Sequence, residues 1–73
     1  MGQDLKYINK SLEKSFKILE ILSKSIFPLK ASSISRKATL SRTTTFRLLS
    51  VLSDLGYIHK NLGSNTYTMG HKA

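Results

Sequence analysis

The chain has no cysteine and no tryptophan, one proline, and only four acidic residues among its 73. Without thiols, disulfides, thiolate metal sites and cysteine nucleophiles are excluded. Carboxylate and imidazole chemistry is limited to Asp4, Glu13, Glu20, Asp54, His59 and His71, a scattered set with neither zinc-ligand spacing nor a nucleophile beside an orienting base. Both histidines read as structural or solvent-facing. No Gly-rich phosphate loop and no nucleophile elbow is present. The expectation is a protein that is not an enzyme and takes no metal or cofactor. No apolar run approaches the roughly 18 residues of a membrane span, and the N-terminus lacks the apolar segment of a secretory signal. A cytoplasmic protein without membrane contact is expected. Met1-Gly2 opens like a myristoylation signal, but Lys6 stands where that motif requires Ser or Thr.

What the chain has in excess is positive charge: twelve Lys and Arg give a net charge of +8 and a pI near 10.1. Such a balance points to a polyanionic partner, though it says nothing about the fold. Seventy-three residues make one small domain, of a size that buries only about 60% of its unfolded surface and gains from a second copy or a partner domain.

Residues 1–10 show no sustained period and read as an N-terminal arm. Ser11 is a candidate cap for a first helix from Leu12 to about Ser25. Leu12, Phe16, Leu19, Leu22 and Ile26 recur at intervals of three and four and are expected to form its buried stripe. Glu13 with Lys17 and Glu20 with Lys24 are favourably oriented pairs four apart. Ile18 is expected to flank the core. Ile21, among Lys10, Lys14, Lys17 and Lys24, reads either as a single exposed apolar residue or as a dimer contact. Phe27-Pro28 ends this helix. A second, shorter helix runs from Lys30 or Ala31 to Ala38, with Ala31, Ile34 and Ala38 inward and Ser32, Ser33, Arg36 and Lys37 left for solvent or phosphate.

The stretch from Leu40 to Ile58, LSRTTTFRLLSVLSDLGYI, reads as a third helix with Ser41 as its cap and Gly56 as its stop. At about 100° per residue, Leu48, Leu52, Leu55, Val51 and Thr44 share the side expected to be core, with Thr45 and Leu49 at its border. Arg42, Thr43, Phe46, Arg47, Ser50 and Asp54 lie opposite. An anion is favoured at the N-terminal half, where the positive end of the helix dipole and free amides add to the two arginines. Beyond Gly56, YIHKN and TYTMG read as a hairpin. Ile58, Tyr67 and Met69 are expected inward, and His59, Lys60, Asn61, Ser64 and Asn65 form a polar, weakly basic wing.

The run PLKASSISRKATLSRTTTFRLLSVLSDLGYI, followed by YTMG, resembles the DNA-binding domain of the IclR family of bacterial transcription regulators, over about Ser11 to Gly70. The resemblance implies a mainly α fold with a small β-hairpin, a three-helix winged helix-turn-helix spanning 11–70, with 71–73 the start of a linker to an absent domain. It implies sequence-specific binding of double-stranded DNA, with a recognition helix of about 42–55 in the major groove and a wing of about 59–66 on the backbone or minor groove. It also implies a homodimer through the first helix, and a small-molecule effector only through a domain absent from this chain. Three residues depart from the family pattern: Thr39 for a usual glycine, Ser41 for a common proline, and Lys30 for a Ser or Thr cap. Thr39 puts a left-handed turn conformation in question, because a β-branched residue is strained there.

The candidate DNA-binding residues are Ser41, Arg42, Thr43, Phe46, Arg47, Arg36, Lys60 and Asn61. Arg42 and Arg47 can each hold phosphate or pair with guanine, and Phe46 can meet a thymine methyl. Phe46 can equally pack on the second helix or the base of the wing. Ser41 positions rather than specifies. Two rival functions remain open at this stage: a winged-helix module for protein interaction or dimerisation without specific DNA binding, and RNA binding, which the missing stacking platform disfavours.

Overall fold

The structure is a computed structural model that describes residues 2–70, with side chains from Lys10 onward. Three helices, α1 (Gly2–Lys24), α2 (Ala31–Ala38) and α3 (Arg42–Asp54), precede two strands, β1 (Ile58–Asn61) and β2 (Thr66–Met69). The strands pair antiparallel, with Ile58 opposite Met69 and Asn61 opposite Thr66. Leu29, in the connection between α1 and α2, adds a single bridge to the other edge of β2. Its N–H donates to the Tyr67 carbonyl at 3.1 Å and its carbonyl accepts from the Tyr67 N–H at 2.7 Å. One bridging residue has no strand periodicity, which is why the sequence pattern did not reveal it. His71 and the supposed linker, 71–73, lie outside the described residues.

Every element contributes to one apolar cluster: Ile18 and Leu22 from α1, Ala31 and Ile34 from α2, Leu49 and Leu52 from α3, Ile58 and Tyr67 from the hairpin. Each large side chain so buried is worth roughly 1.5–3 kcal/mol. Helix α2 keeps its expected bounds and buries Ala31, Ile34 and Ala38. Two alanines allow it to sit close between its neighbours.

Helix α3 also keeps its expected bounds, whereas the start of α1 and the buried faces of α1 and α3 differ from the sequence reading. Residues 2–10 are the first turns of α1 rather than an arm, and Ser11 lies inside the helix rather than capping it. Leu5 and Ile8 extend the three-and-four spacing backward from Leu12, and neither glycine nor proline interrupts residues 3–24. The buried side of α1 is Ile18 and Leu22, flanked by half-buried Ser11, Ser15 and Leu19, while Leu12, Phe16 and, beyond the helix, Ile26 are exposed. Helix α1 carries more apolar residues than one contact face can cover. The side with small serines admits closer neighbours, and α2 and β2 pack there. Ile18 is thus central rather than flanking. Of the two expected pairs, only Glu20–Lys24 closes among the described residues, at 4.0 Å.

In α3 the buried face is Thr45, Leu49 and Leu52, with Leu48 and Thr44 half-buried and Val51 and Leu55 exposed. The face is rotated from the expected one because Thr45 turns fully inward, its hydroxyl donating to the Ser41 carbonyl at 2.8 Å. A satisfied hydroxyl is buried at little cost. On β2, Tyr67 is inward but Met69 is exposed, being the last residue of the strand, past the Leu29 bridge.

The connections carry local strain at one β-branched residue. Thr39 does adopt the left-handed conformation, φ 57° and ψ 46°, so the α2–α3 turn is not rearranged. The Leu40 N–H donates to Ser35 O at 2.9 Å and the Thr39 N–H to Arg36 O at 3.2 Å, the paired closure that ordinarily recruits glycine. Helix α3 closes in the same manner at Gly56, φ 88°, through Tyr57 N–H to Leu52 O and Gly56 N–H to Ser53 O. At the base of the hairpin, Gly70 is required for space, since a Cβ there would collide with the Gly56 carbonyl. The β-branched residue at 39 costs about 1–3 kcal/mol of backbone strain, against roughly 0.5–1 kcal/mol of extra chain entropy for glycine. Thr39→Gly is therefore expected to raise the Tm by a few degrees, at about 4–8 °C per kcal/mol; an unchanged or lower Tm by calorimetry would show that the turn is not strained.

Candidate nucleic-acid interface

Helix α3 is held by its inner face and by its cap. Ser41 is extended, φ −66° and ψ 156°, and its hydroxyl oxygen accepts from the Thr44 N–H at 3.1 Å while donating to the Thr44 hydroxyl at 2.9 Å. The cap expected from sequence is present. The first-turn amides of Arg42 and Thr43 are left as open donors at the positive end of the helix, as geometry requires of any helix start. No acid lies in that first turn.

Arg42, Thr43, Phe46, Arg47 and Ser50 all project from the exposed side of α3. Neither Arg42 nor Arg47 is paired with a carboxylate among the described residues, whose one salt bridge is on α1. Phe46 is 48% exposed. It borders a groove of about 320 Å³ between α3 and the hairpin, together with Ser50, Asp54, Lys60 and Tyr67. About half of Phe46 is thus covered, and it borders this groove on the hairpin side of α3. Lys60 is half-buried, its ammonium 5.8 Å from the centre of the Tyr67 ring, so its stem lies over the strand and its charge is at the mouth of this groove.

The wing is a pinned turn. The Asn65 N–H donates to the Asn61 carbonyl at 2.8 Å, the Ser64 and Thr66 hydroxyls are 2.7 Å apart, and the Asn61 amide donates to the Thr66 hydroxyl at 3.4 Å. Asn61 is therefore half-buried and engaged within the hairpin, less available than its place in the sequence implied. Leu62 stands 84% exposed at the tip, the one large apolar side chain in the wing turn. Arg36 is exposed in the last turn of α2 and shares a shallow surface depression with Ser33 and Lys37.

The structure thus gathers Ser41, Arg42, Thr43, Phe46 and Arg47 on one helix, sets Lys60 and Asn61 along one flank, and keeps Arg36 on the preceding helix. What the sequence pattern missed is the other flank, where Lys10 and Lys14 of α1 share a depression with Thr44 and Arg47. Spacing by four marked both lysines as neighbours on α1, but not the helix they face.

Three helices, a two-stranded wing and an outward third helix define a winged helix-turn-helix. A family model described as the IclR helix-turn-helix domain matches residues 11–62. The chain belongs to the IclR family, and these residues are its helix-turn-helix domain, the DNA-binding class of domain of transcription regulators. No match is found among curated proteins. Among solved structures, the fold is similar to an IclR-family transcriptional regulator from Brucella abortus (TM-score 0.79, 24% identity, 85% of this chain and 24% of that one). It is likewise similar to an IclR transcriptional regulator from Alicyclobacillus acidocaldarius (0.78, 21%, 84% and 25%). The repressor BlcR of Agobacterium tumefaciens is a third such structure (0.76, 22%, 85% and 25%). The chain spans about a quarter of the length of each.

Loss of the α3 cap should register in stability. Ser41→Ala is expected to cost about 1 kcal/mol, a fall of about 4–8 °C in Tm, and Ser41→Asn to recover most of it; an alanine variant as stable as the parent would mean that the hydroxyl does not cap.

Proposed function

We propose that this domain binds double-stranded DNA sequence-specifically, with α3 in the major groove and the wing, about 59–66, on the adjoining backbone or minor groove. The carrying observation is the exposed side of α3, where two arginines that pair with no carboxylate among the described residues, two hydroxyls and a half-exposed phenylalanine project from a helix whose opposite face is locked into the core. A major groove about 12 Å wide admits one such helix. Arg42 and Arg47 reach guanine edges or phosphates, Phe46 meets a thymine methyl with its exposed part, and Thr43 contacts a base edge or a phosphate. Ser41 with its free first-turn amides, Arg36 and Lys60 bind phosphate and fix the register. Asn61 supports the wing.

The same reading includes a homodimer through α1. Leu12 and Phe16, one turn apart, are 48% and 64% exposed on one face. A second copy would cover them, and two domains would present two α3 helices to two half-sites. This face, rather than Ile21, suits the contact, since Ile21 is half-buried beside Leu29 and Lys37.

Bound sequences selected from a random duplex pool supply the target, on which two variants separate reading from anchoring. Arg47→Ala should lose about 1–3 kcal/mol on the selected duplex, roughly a 5- to 150-fold weaker Kd, with a smaller loss on random DNA. Phe46→Ala should weaken the selected duplex and leave random DNA nearly unchanged. Equal weakening on both duplexes would remove Phe46 from base reading, and indifference of both duplexes to Arg47→Ala would contradict placement of α3 in the groove.

A further inference from the structure

We infer that α1 supplies a second phosphate-binding element: Lys10, Ser11 and Lys14, with Thr44 and Arg47 of α3, form an anion site for the backbone of the same duplex that α3 enters. This rests on the proposed placement of α3. The site is a depression of about 320 Å³ between the N-terminal half of α1 and the N-terminal half of α3, completed by Leu48. Five of its six described residues carry hydrogen-bond donors, three of them cationic, and no carboxylate among the described residues lines it. Three exposed cations around one depression repel one another modestly across water. A polyanion reverses the sign of that term.

Position decides which polyanion. Arg47 stands on the outward face of α3, while Thr44 and Leu48 lie on the flank that turns toward α1, opposite the flank that meets the hairpin. A helix in a major groove has a phosphate wall on either side. The wing serves one wall through Lys60. The depression beside α1 faces the other, and it is the more basic of the two, since Asp54 borders the hairpin side. Lys10 and Lys14 are one turn apart on α1, whereas Leu12 and Phe16 are displaced from them by two residues, about 200° around the helix. A second copy seated on Leu12 and Phe16 therefore leaves the lysines free.

The test is the salt dependence of duplex binding by the whole chain, read by anisotropy with a labelled duplex of random sequence. Each phosphate contact contributes about 0.9 to the slope of log K against log salt. Lys10→Gln and Lys14→Gln should each lower the slope by close to that amount and weaken binding about five- to tenfold near 0.1 M salt. Lys17→Gln makes the same charge change on an exposed part of α1 outside the depression and should lower it by less than half as much. Lys14→Arg should restore the parental slope. All three positions are on the surface, and an unchanged Tm checks the fold.

Parental slopes in Lys10→Gln and Lys14→Gln, with Arg47→Gln still weakening binding, would overturn the α1 site and leave the α3 reading intact. A parental chain that binds no duplex, or binds with no salt dependence, would overturn both. Inorganic phosphate titrated at constant ionic strength distinguishes a free-anion site: saturation in the millimolar range that depends on Lys10 and Lys14, with duplex slopes unchanged, would assign the depression to a small anion and overturn the assignment to DNA.

Discussion

Ile18, Ile34 and Leu49 are each fully buried, one from each helix, within the same cluster. In a domain this small, where burial barely exceeds the entropy of ordering the chain, their shared burial sets the orientation of everything outside it. With Leu49 and Thr45 fixed inward, the residues about half a helical turn away point outward: Thr43, Arg47, Ser50 and Asp54. The outward face of α3 is thus a consequence of its inner one. Ser41 and Gly56 limit the helix to the length that the core can hold.

Helix α1 serves three surfaces at once, and this explains a pattern that a single apolar stripe does not. One side, small at Ser11 and Ser15 and large at Ile18 and Leu22, enters the core. A second side leaves Leu12 and Phe16 uncovered. A third sets Lys10 and Lys14 at a depression that α3 also lines. A helix with one functional side would be amphipathic in the ordinary two-faced sense; here apolar, small and basic residues occupy separate sectors, each matched to a different neighbour.

Much of this was legible in the residues themselves. The bounds of α2, the Ser41 cap, the Gly56 stop, the hairpin and the exposed arginines of α3 follow from capping chemistry, turn chemistry and period, all of which act over a few residues. What was not legible depends on which neighbour comes close. Leu12 and Phe16 fit the helical period as well as Ile18 does, and only the approach of α2 and β2 decides between them. The helical period placed Thr45 only at the border of the core, beside Leu49, and its bond to the Ser41 carbonyl is a local fact that periodicity cannot carry. Thr39 shows the reverse case, in which local preference argued against a conformation that the helix-turn-helix requires and the tertiary structure imposed it. Among the proposed DNA-contacting residues, Asn61 is the one whose environment changes its standing, since its amide is engaged with Thr66.

Titration of the isotopically labelled chain with an unlabelled duplex, followed by the amide resonances, reads the placement of α3 most directly. Shifts that concentrate on residues 41–50, with a smaller set in the wing and at Lys10 and Lys14, would agree with α3 lying in the groove. Shifts confined to the Leu12 and Phe16 side of α1, with residues 41–50 unmoved at saturation, would contradict it.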